Sequence, residues 1–208
     1  MKIKLENVLP GEIEKRSFEI ISSEMKPMTF GQKEELVVKR CIHTSADFDY
    51  ADNLCFSENA VLKAMEAIKN GACIVTDTQM AKSGINKKRL AGYGGEVFCF
   101  MSDEDVAEEA KRNGTTRATA CINKALSLDR PTIFAIGNAP TALVRIYELI
   151  TEGRLKPELV IGVPVGFVNV VQSKELIMTA DVPYIVARGR KGGSNIAAAI
   201  CNGILYQM

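Results

Sequence analysis

The sequence predicts an α/β protein: a mainly parallel sheet of five strands, covered by helices on both faces and preceded by two or three leading helices. Three observations carry this. Five short apolar runs recur after residue 70, at Ala72–Thr76, Glu96–Phe100, Thr132–Ile136, Leu159–Val163 and Pro183–Ala187. Segments with helical periodicity lie between them, and near-continuous apolar strands separated by helices indicate a sheet buried on both sides. No internal repeat, low-complexity tract or long linker interrupts the pattern, so one domain over residues 1–208 is expected.

The elements follow in order. Glu12–Met25 places Ile13, Phe18, Ile20 and Ile21 at roughly helical spacing, and Pro27 follows as a stop. Gln32–Ile42 carries Leu36, Val37 and Ile42 on a similar face. A third helix is expected from an N-cap at Ser57 through Val61, Leu62, Met65 and Ile68 to Gly71 at C′. Helices between and after the strands are expected near Gln79–Leu90, Asp103–Leu128, Ala139–Glu152, Val170–Ala180 and Ser194–Tyr206. Asn113-Gly114 should break the second of these in two. Parallel strands joined by helices imply right-handed crossovers.

Composition narrows the function classes. The 208 residues are 47% apolar and 25% charged, with a net charge of +1. That is a globular balance without the basic excess of a phosphate-tracking nucleic-acid binder. The N-terminus reads MKIKLENVLP, without the apolar core of a secretory signal, and the longest uncharged run, Gly192–Met208, is shorter than the ~20 residues of a spanning helix. A cytoplasmic protein that binds neither membrane nor nucleic acid is expected. The six cysteines form no C-x-x-C pair and read as reduced thiols acting as small hydrophobes, Cys73 and Cys99 within buried strands. A single histidine, His43, excludes a multi-histidine metal site, and no metal centre is expected. Neither G-x-G-x-x-G nor a P-loop is present, which disfavours both kinds of nucleotide binding.

In open α/β sheets ligands bind beyond the carboxyl ends of the strands, so the residues after each strand are the candidates. The most distinctive is Arg188-Gly-Arg-Lys-Gly-Gly-Ser194, where glycines let a ligand approach the backbone and a helix start follows. No acid occurs from Val182 onward, so Arg190 and Lys191 point to an anionic ligand rather than to an ordinary solvated turn. His43 stands where a helix ends and the polar stretch Thr44–Asp49 begins, with Arg40 one turn upstream on the same face. An isolated histidine there would read as a C-cap; the neighbouring Arg weakens that reading. Arg117 opens a helix, where a cation is electrostatically misplaced. Ser17 alone reads as a surface residue. Gly162–Val168 is an apolar shelf that suits either a flat ligand or a buried turn.

Together, eight segments resemble the precorrin-8X methylmutase (cobalt-precorrin-8 methylmutase) family: EKRSF at 14–18, RCIHT at 40–44, DTQMAKSGI at 77–85, TRA at 116–118, AIGNAPTAL at 135–143, GVPVGF at 162–167, SKE at 173–175 and RGRKGGS at 188–194. They cover nearly the whole chain in the family's order. The resemblance implies a flavodoxin-like three-layer α/β/α fold and a homodimer whose active site involves the subunit interface. It implies a methyl shift from C-11 to C-12 of a corrinoid precursor in cobalamin biosynthesis, described as a [1,5]-sigmatropic migration, with no cofactor. The family's catalytic histidine matches His43, and its substrate-contacting positions match Ser17, Arg40 and Arg117.

These residue types suit such a substrate. A flat macrocycle ringed by carboxylates needs an apolar surface with cations around it, and the planar guanidinium binds carboxylates bidentately. Imidazole, with an ordinary pKa of ~6.5, can lend and recover a proton near neutrality. Two other readings use the same residues: a flavodoxin-like module that binds an anionic small molecule without catalysis, and a corrinoid carrier.

Overall fold

The computed structural model describes residues 5–26 and 29–208; Pro27, expected to stop the first helix, lies outside them, as do residues 1–4. After a 3-10 turn at Pro10–Glu12, the leading helices are α1 (Ile13–Glu24), α2 (Gln32–Ser45) and the short α3 (Tyr50–Asn53). Then come β1 (Leu54–Phe56), α4 (Ala60–Lys69), β2 (Cys73–Thr76), α5 (Gln79–Gly84), α6 (Lys87–Ala91) and β3 (Val97–Phe98). The rest runs α7 (Glu104–Arg112), α8 (Arg117–Ala125), β4 (Thr132–Ile136), α9 (Pro140–Thr151), β5 (Leu159–Gly162), α10 (Val170–Met178), β6 (Tyr184–Ala187) and α11 (Ser194–Leu205).

Among the described residues one sheet of six strands holds them, in the order β1-β6-β5-β4-β2-β3. All five expected strands form and pair in parallel with one another. The sixth, β1, corrects the expected count. It is three residues long and pairs antiparallel with β6, Leu54 opposite Ala187. No period can be read in three residues. Ser57 is part of the same correction: it caps no helix, because α4 starts after Asn59 in the left-handed conformation. Ser57 instead extends the β1–β6 pairing, its N–H donating to the Tyr184 carbonyl (3.0 Å) and its Oγ accepting from the Tyr184 N–H (2.9 Å).

Alternate strand residues point to opposite faces. Ile74, Ile133, Ala135, Ile161 and Ile185 pack with α2, α4, α5 and α11. Val75, Phe134, Ile136, Val160 and Val186 pack with α8, α9 and α10. The long helix expected over 103–128 does break at Asn113-Gly114, where Gly114 has φ 60°. The segment expected as one helix over 79–90 splits at Ile85-Asn86. The Asn86 side chain accepts from the Arg89 N–H, starting α6, and its own N–H donates to Asn202 Oδ1. No helix among the described residues is long and apolar enough to cross a membrane.

Candidate active site

Strands β2, β4, β5 and β6 are parallel, so the turns after them meet at one edge. Between β2 and β4 the strand order reverses, since β3 lies outward of β2 and β4 returns inward. Side chains and backbone cross-link these turns. Buried Asp77, just after β2, accepts from the N–H groups of Gly137, Asn138 and Ala139 at 2.9, 2.8 and 2.6 Å. Burial pushes its carboxyl up from the ordinary value, and the three N–H donors pull it back. Thr78 caps α5, accepting from the Ala81 N–H, and shares a 2.7 Å hydroxyl hydrogen bond with Ser194 at the start of α11. The turn after β6 lies against that after β5: Gly193 N–H donates to the Val163 carbonyl (2.9 Å) and Gly166 N–H to that of Arg190 (3.2 Å). Gly192 makes this approach possible, because a Cβ there would stand 2.1 Å from the Val163 oxygen.

Below this turn lies Lys174 of α10, 0% exposed. Its ammonium donates to the carbonyls of Gly189 (2.9 Å) and Lys191 (2.8 Å), the residues flanking Arg190. Burial lowers its pKa to about 8. Lys174 had a readable signal: with Val170 and Ile177 it occupies positions i, i+4 and i+7, so it is a charge on the core-facing stripe of a helix.

The histidine cluster is built by α1 against α2. His43 sits exposed in the last turn of α2, its ring stacked on Phe18 with centroids 5.4 Å apart and planes 25° apart. The Arg40 guanidinium lies 4.8 Å from the Phe18 centroid and 4.9 Å from that of Tyr206, and it pairs with Glu14. Ser17 neighbours Phe18 on α1 and donates its hydroxyl hydrogen to the Ile13 carbonyl (2.9 Å), which leaves the oxygen to accept. Helix α2 ends on Ala46 with φ 53°, and the chain then turns through Asp47 and Asp49. Both carboxylates take the Lys191 ammonium, at 2.6 and 2.5 Å. That pairing holds Asp47 below the carboxylate range and the Lys191 ammonium above the usual lysine value.

Among the expected site residues, the structure therefore brings Arg40 and His43 together around Phe18, leaves Ser17 beside Phe18 in the sequence of α1 with its hydroxyl bonded back to Ile13, and joins Lys191 to the exit of the histidine helix. The sequence of the β6 turn carries no acid, but the fold brings two to it from residues far upstream. Arg190 lies 5.2 Å from the ring of Phe167, which with Val168 is 80% and 78% exposed at the tip of the shelf after β5. Arg117 is not brought to His43 within this chain. It is exposed at the start of α8, on the opposite face of the sheet from α2, where the Thr116 and Thr141 hydroxyls tie α8 to α9 (2.9 Å).

An exposed imidazole flanked by an aromatic ring and a guanidinium, beside a cation-bearing turn at a sheet's carboxyl edge, defines an α/β protein equipped for acid–base work on an aromatic or conjugated anion. Comparison makes the class particular. The sequence model of the precorrin-8X methylmutase family matches residues 12–207, and the chain belongs to that family. It is 46% identical to the cobalt-precorrin-8 methylmutase of Priestia megaterium, over 95% of this chain and 88% of that one. It is 47% identical to the protein of that name from Leptospira interrogans, over 95% and 93%. The crystal structure of a precorrin-8x methyl mutase from Thermus thermophilus superposes with a TM-score of 0.87 at 41% identity, covering 94% of this chain and 95% of that one. The family's activity is that of an isomerase, a methylmutase of cobalamin biosynthesis.

Proposed function

We propose that this protein moves a methyl group from C-11 to C-12 of a cobalt-precorrin-8 macrocycle, with His43 as the catalytic residue. The observation that carries the assignment is the placement of the chain's one histidine: exposed, stacked flat on Phe18, with Arg40 over the same ring. In the reaction the C-11–methyl bond breaks and the C-12–methyl bond forms, so no atom is gained or lost. His43 donates a proton or a strong hydrogen bond to the macrocycle, which shifts electron density toward migration, and recovers the proton afterwards. Such assistance is typically worth ~10²–10⁴-fold. Arg40 and Ser17 bind the macrocycle beside His43, Arg190 meets its peripheral carboxylates, and Lys191, expected to do the same, is held by Asp47 and Asp49 and so positions the turn that carries Arg190. Relatives named for the cobalt-containing substrate span 32–47% identity, and those of Priestia megaterium, Leptospira interrogans and Salmonella typhimurium, at 44–47%, lie above the 34% of the precorrin-8X methylmutase of Pseudomonas aeruginosa, which supports the cobalt form.

The parallel strands run β3-β2-β4-β5-β6 across the sheet, the doubly wound order of flavodoxin-like folds, which supports that fold for a single domain over the chain. A homodimer explains Arg117. Since α8 and α2 lie on opposite faces, Arg117 serves the site through a second copy. The enzyme works in the cytoplasm. His43→Ala should lose 10²-fold or more in turnover, followed by the change in corrinoid absorbance, while still binding the substrate. Wild-type turnover in that variant would remove His43 from the mechanism. Arg40→Ala should chiefly weaken binding.

A further inference from the structure

The place where a doubly wound sheet reverses its strand order, at a helix N-terminus with unpaired N–H groups, is the usual seat of a ligand phosphate. Here that place lies between β2 and β4, at the start of α9, a helix of 12 residues. Three successive N–H groups, from Gly137, Asn138 and Ala139, converge on one point in front of it. Pro140, the first residue of α9, contributes no N–H, so the three successive donors of the turn stand immediately before it. All three are taken by Asp77, whose side chain enters from the end of β2 and is 1% exposed. Its Oδ2 accepts two of the bonds and its Oδ1 the third, the pattern of a carboxylate rather than of an acid needing an acceptor.

We propose that the Asp77 carboxylate is the resident anion of this cradle, and that by filling it Asp77 closes the fold's phosphate seat and makes the site selective for ligands without phosphate. The cradle cannot widen to admit both groups. Gly137 lies so close to α11 that a Cβ on it would stand 2.7 Å from Ser194 Cα and 2.8 Å from the Gly193 oxygen. A second anion there would also meet a carboxylate already holding these three donors. Ligands at this edge must therefore be gripped by side-chain cations, and phosphorylated compounds lose the backbone seat that other doubly wound proteins give them. This inference rests on the turn itself and not on the role assigned to His43.

The test uses inorganic phosphate and formate as probes, with chloride at matched ionic strength as the control. In the wild-type protein neither anion should shift the backbone amide resonances of Gly137, Asn138 and Ala139 beyond chloride. Asp77→Ala vacates the cradle, so formate or phosphate at about ten times its dissociation constant should raise the melting temperature by about 4 °C over chloride and shift those three resonances. Asp77→Asn fills the same volume but turns an amide toward the donors, so it should be destabilised and not rescued. If Asp77→Ala folds poorly, refolding yield in formate against chloride is the readout. Millimolar phosphate binding at residues 137–139 of the wild-type protein would overturn the proposal. So would an Asp77→Ala variant that formate and phosphate help no more than chloride, in stability or in refolding.

Discussion

Replacing Lys174 by Met separates what holds the β6 turn from what folds the protein. The substitution keeps the apolar stem and removes an ammonium that donates to the carbonyls of Gly189 and Lys191. Each carbonyl left without a donor costs about 1–3 kcal/mol. Against this, the ammonium itself resists burial. A fall from 10.5 to about 8 corresponds to no more than about 3.5 kcal/mol at about 1.4 kcal/mol per pH unit, less where water screens the charge. The two nearly offset, so the expected net loss is about 1–2 kcal/mol, a drop in melting temperature of about 2–8 °C. Binding has no such offset. Arg190 lies between the two clamped carbonyls, and a turn free to re-aim it should raise KM for the corrinoid about tenfold, the equivalent of about 1.4 kcal/mol. Turnover at saturation should change little, because His43 sits on α2. The charge adds a pH signature. Lys174 discharges as pH rises through about 8, so wild-type KM should climb above that pH and the climb should vanish in Lys174→Met. Steady-state kinetics from pH 7 to 9 measure both. A KM within twofold of wild type at pH 7, together with the lowered melting temperature, would show that Lys174 only fills space and would refute the reasoning.

Two further outcomes follow from the same geometry. Gly192→Ala places a methyl 2.1 Å from the Val163 oxygen at a φ of 156°, so the β5 and β6 turns must separate. A loss of about 3 kcal/mol, or about 6–12 °C in melting temperature, is expected, and a variant as stable as wild type would contradict the packing. Burial holds the Cys121 and Cys201 thiols up at about 12 and raises Cys41 as well, whereas an unfolded thiol ionises near 9.0. Their contribution is whole below pH 9 and is lost as pH rises toward the folded values, at about 1.4 kcal/mol per thiol by pH 10. Lys174, depressed in the folded state, gains stability over pH 8 to 10.5 and offsets up to about 2 kcal/mol, leaving a net loss of about 2 kcal/mol by pH 10. The urea midpoint at pH 8 and pH 10 tests this, and a higher midpoint at pH 10 would refute it.

The legible parts of the fold were those with a period. Five parallel strands and most helix bounds could be read because buried strands are continuous apolar runs and Asn-Gly breaks a helix. Strand β1 was not legible, because Leu54–Phe56 is held by pairing with β6 more than 125 residues later rather than by any local preference. The site divides the same way. His43 and Arg40 share a helix face and could be grouped by spacing. The meeting of Asp47 and Asp49 with Lys191 could not, since it is made by tertiary packing over a separation of more than 140 residues. That pairing also changes what the acid-free C-terminal segment means: one of its cations is already held by carboxylates from α2's exit.

The ties at the carboxyl edge form a continuous chain. Asp77 joins the β2 turn to the β4 turn, Thr78 joins β2 to α11, and Gly193 joins α11 to the β5 turn. Lys174 anchors the β6 turn to α10, and Lys191 carries the connection on to the exit of the histidine helix. Every turn at this edge is therefore pinned by at least one buried or charged contact, while the side chains of Phe167 and Val168 remain outside the network, largely exposed. A methyl migration gives the enzyme no atom to add or remove, and on the role proposed for His43 its rate comes from holding one arrangement of a rigid ring against a fixed imidazole. An edge whose turns are locked together, with the imidazole attached to the end of the same chain of contacts, provides that fixed frame. An edge of independently moving loops would place the proton and the ring by chance.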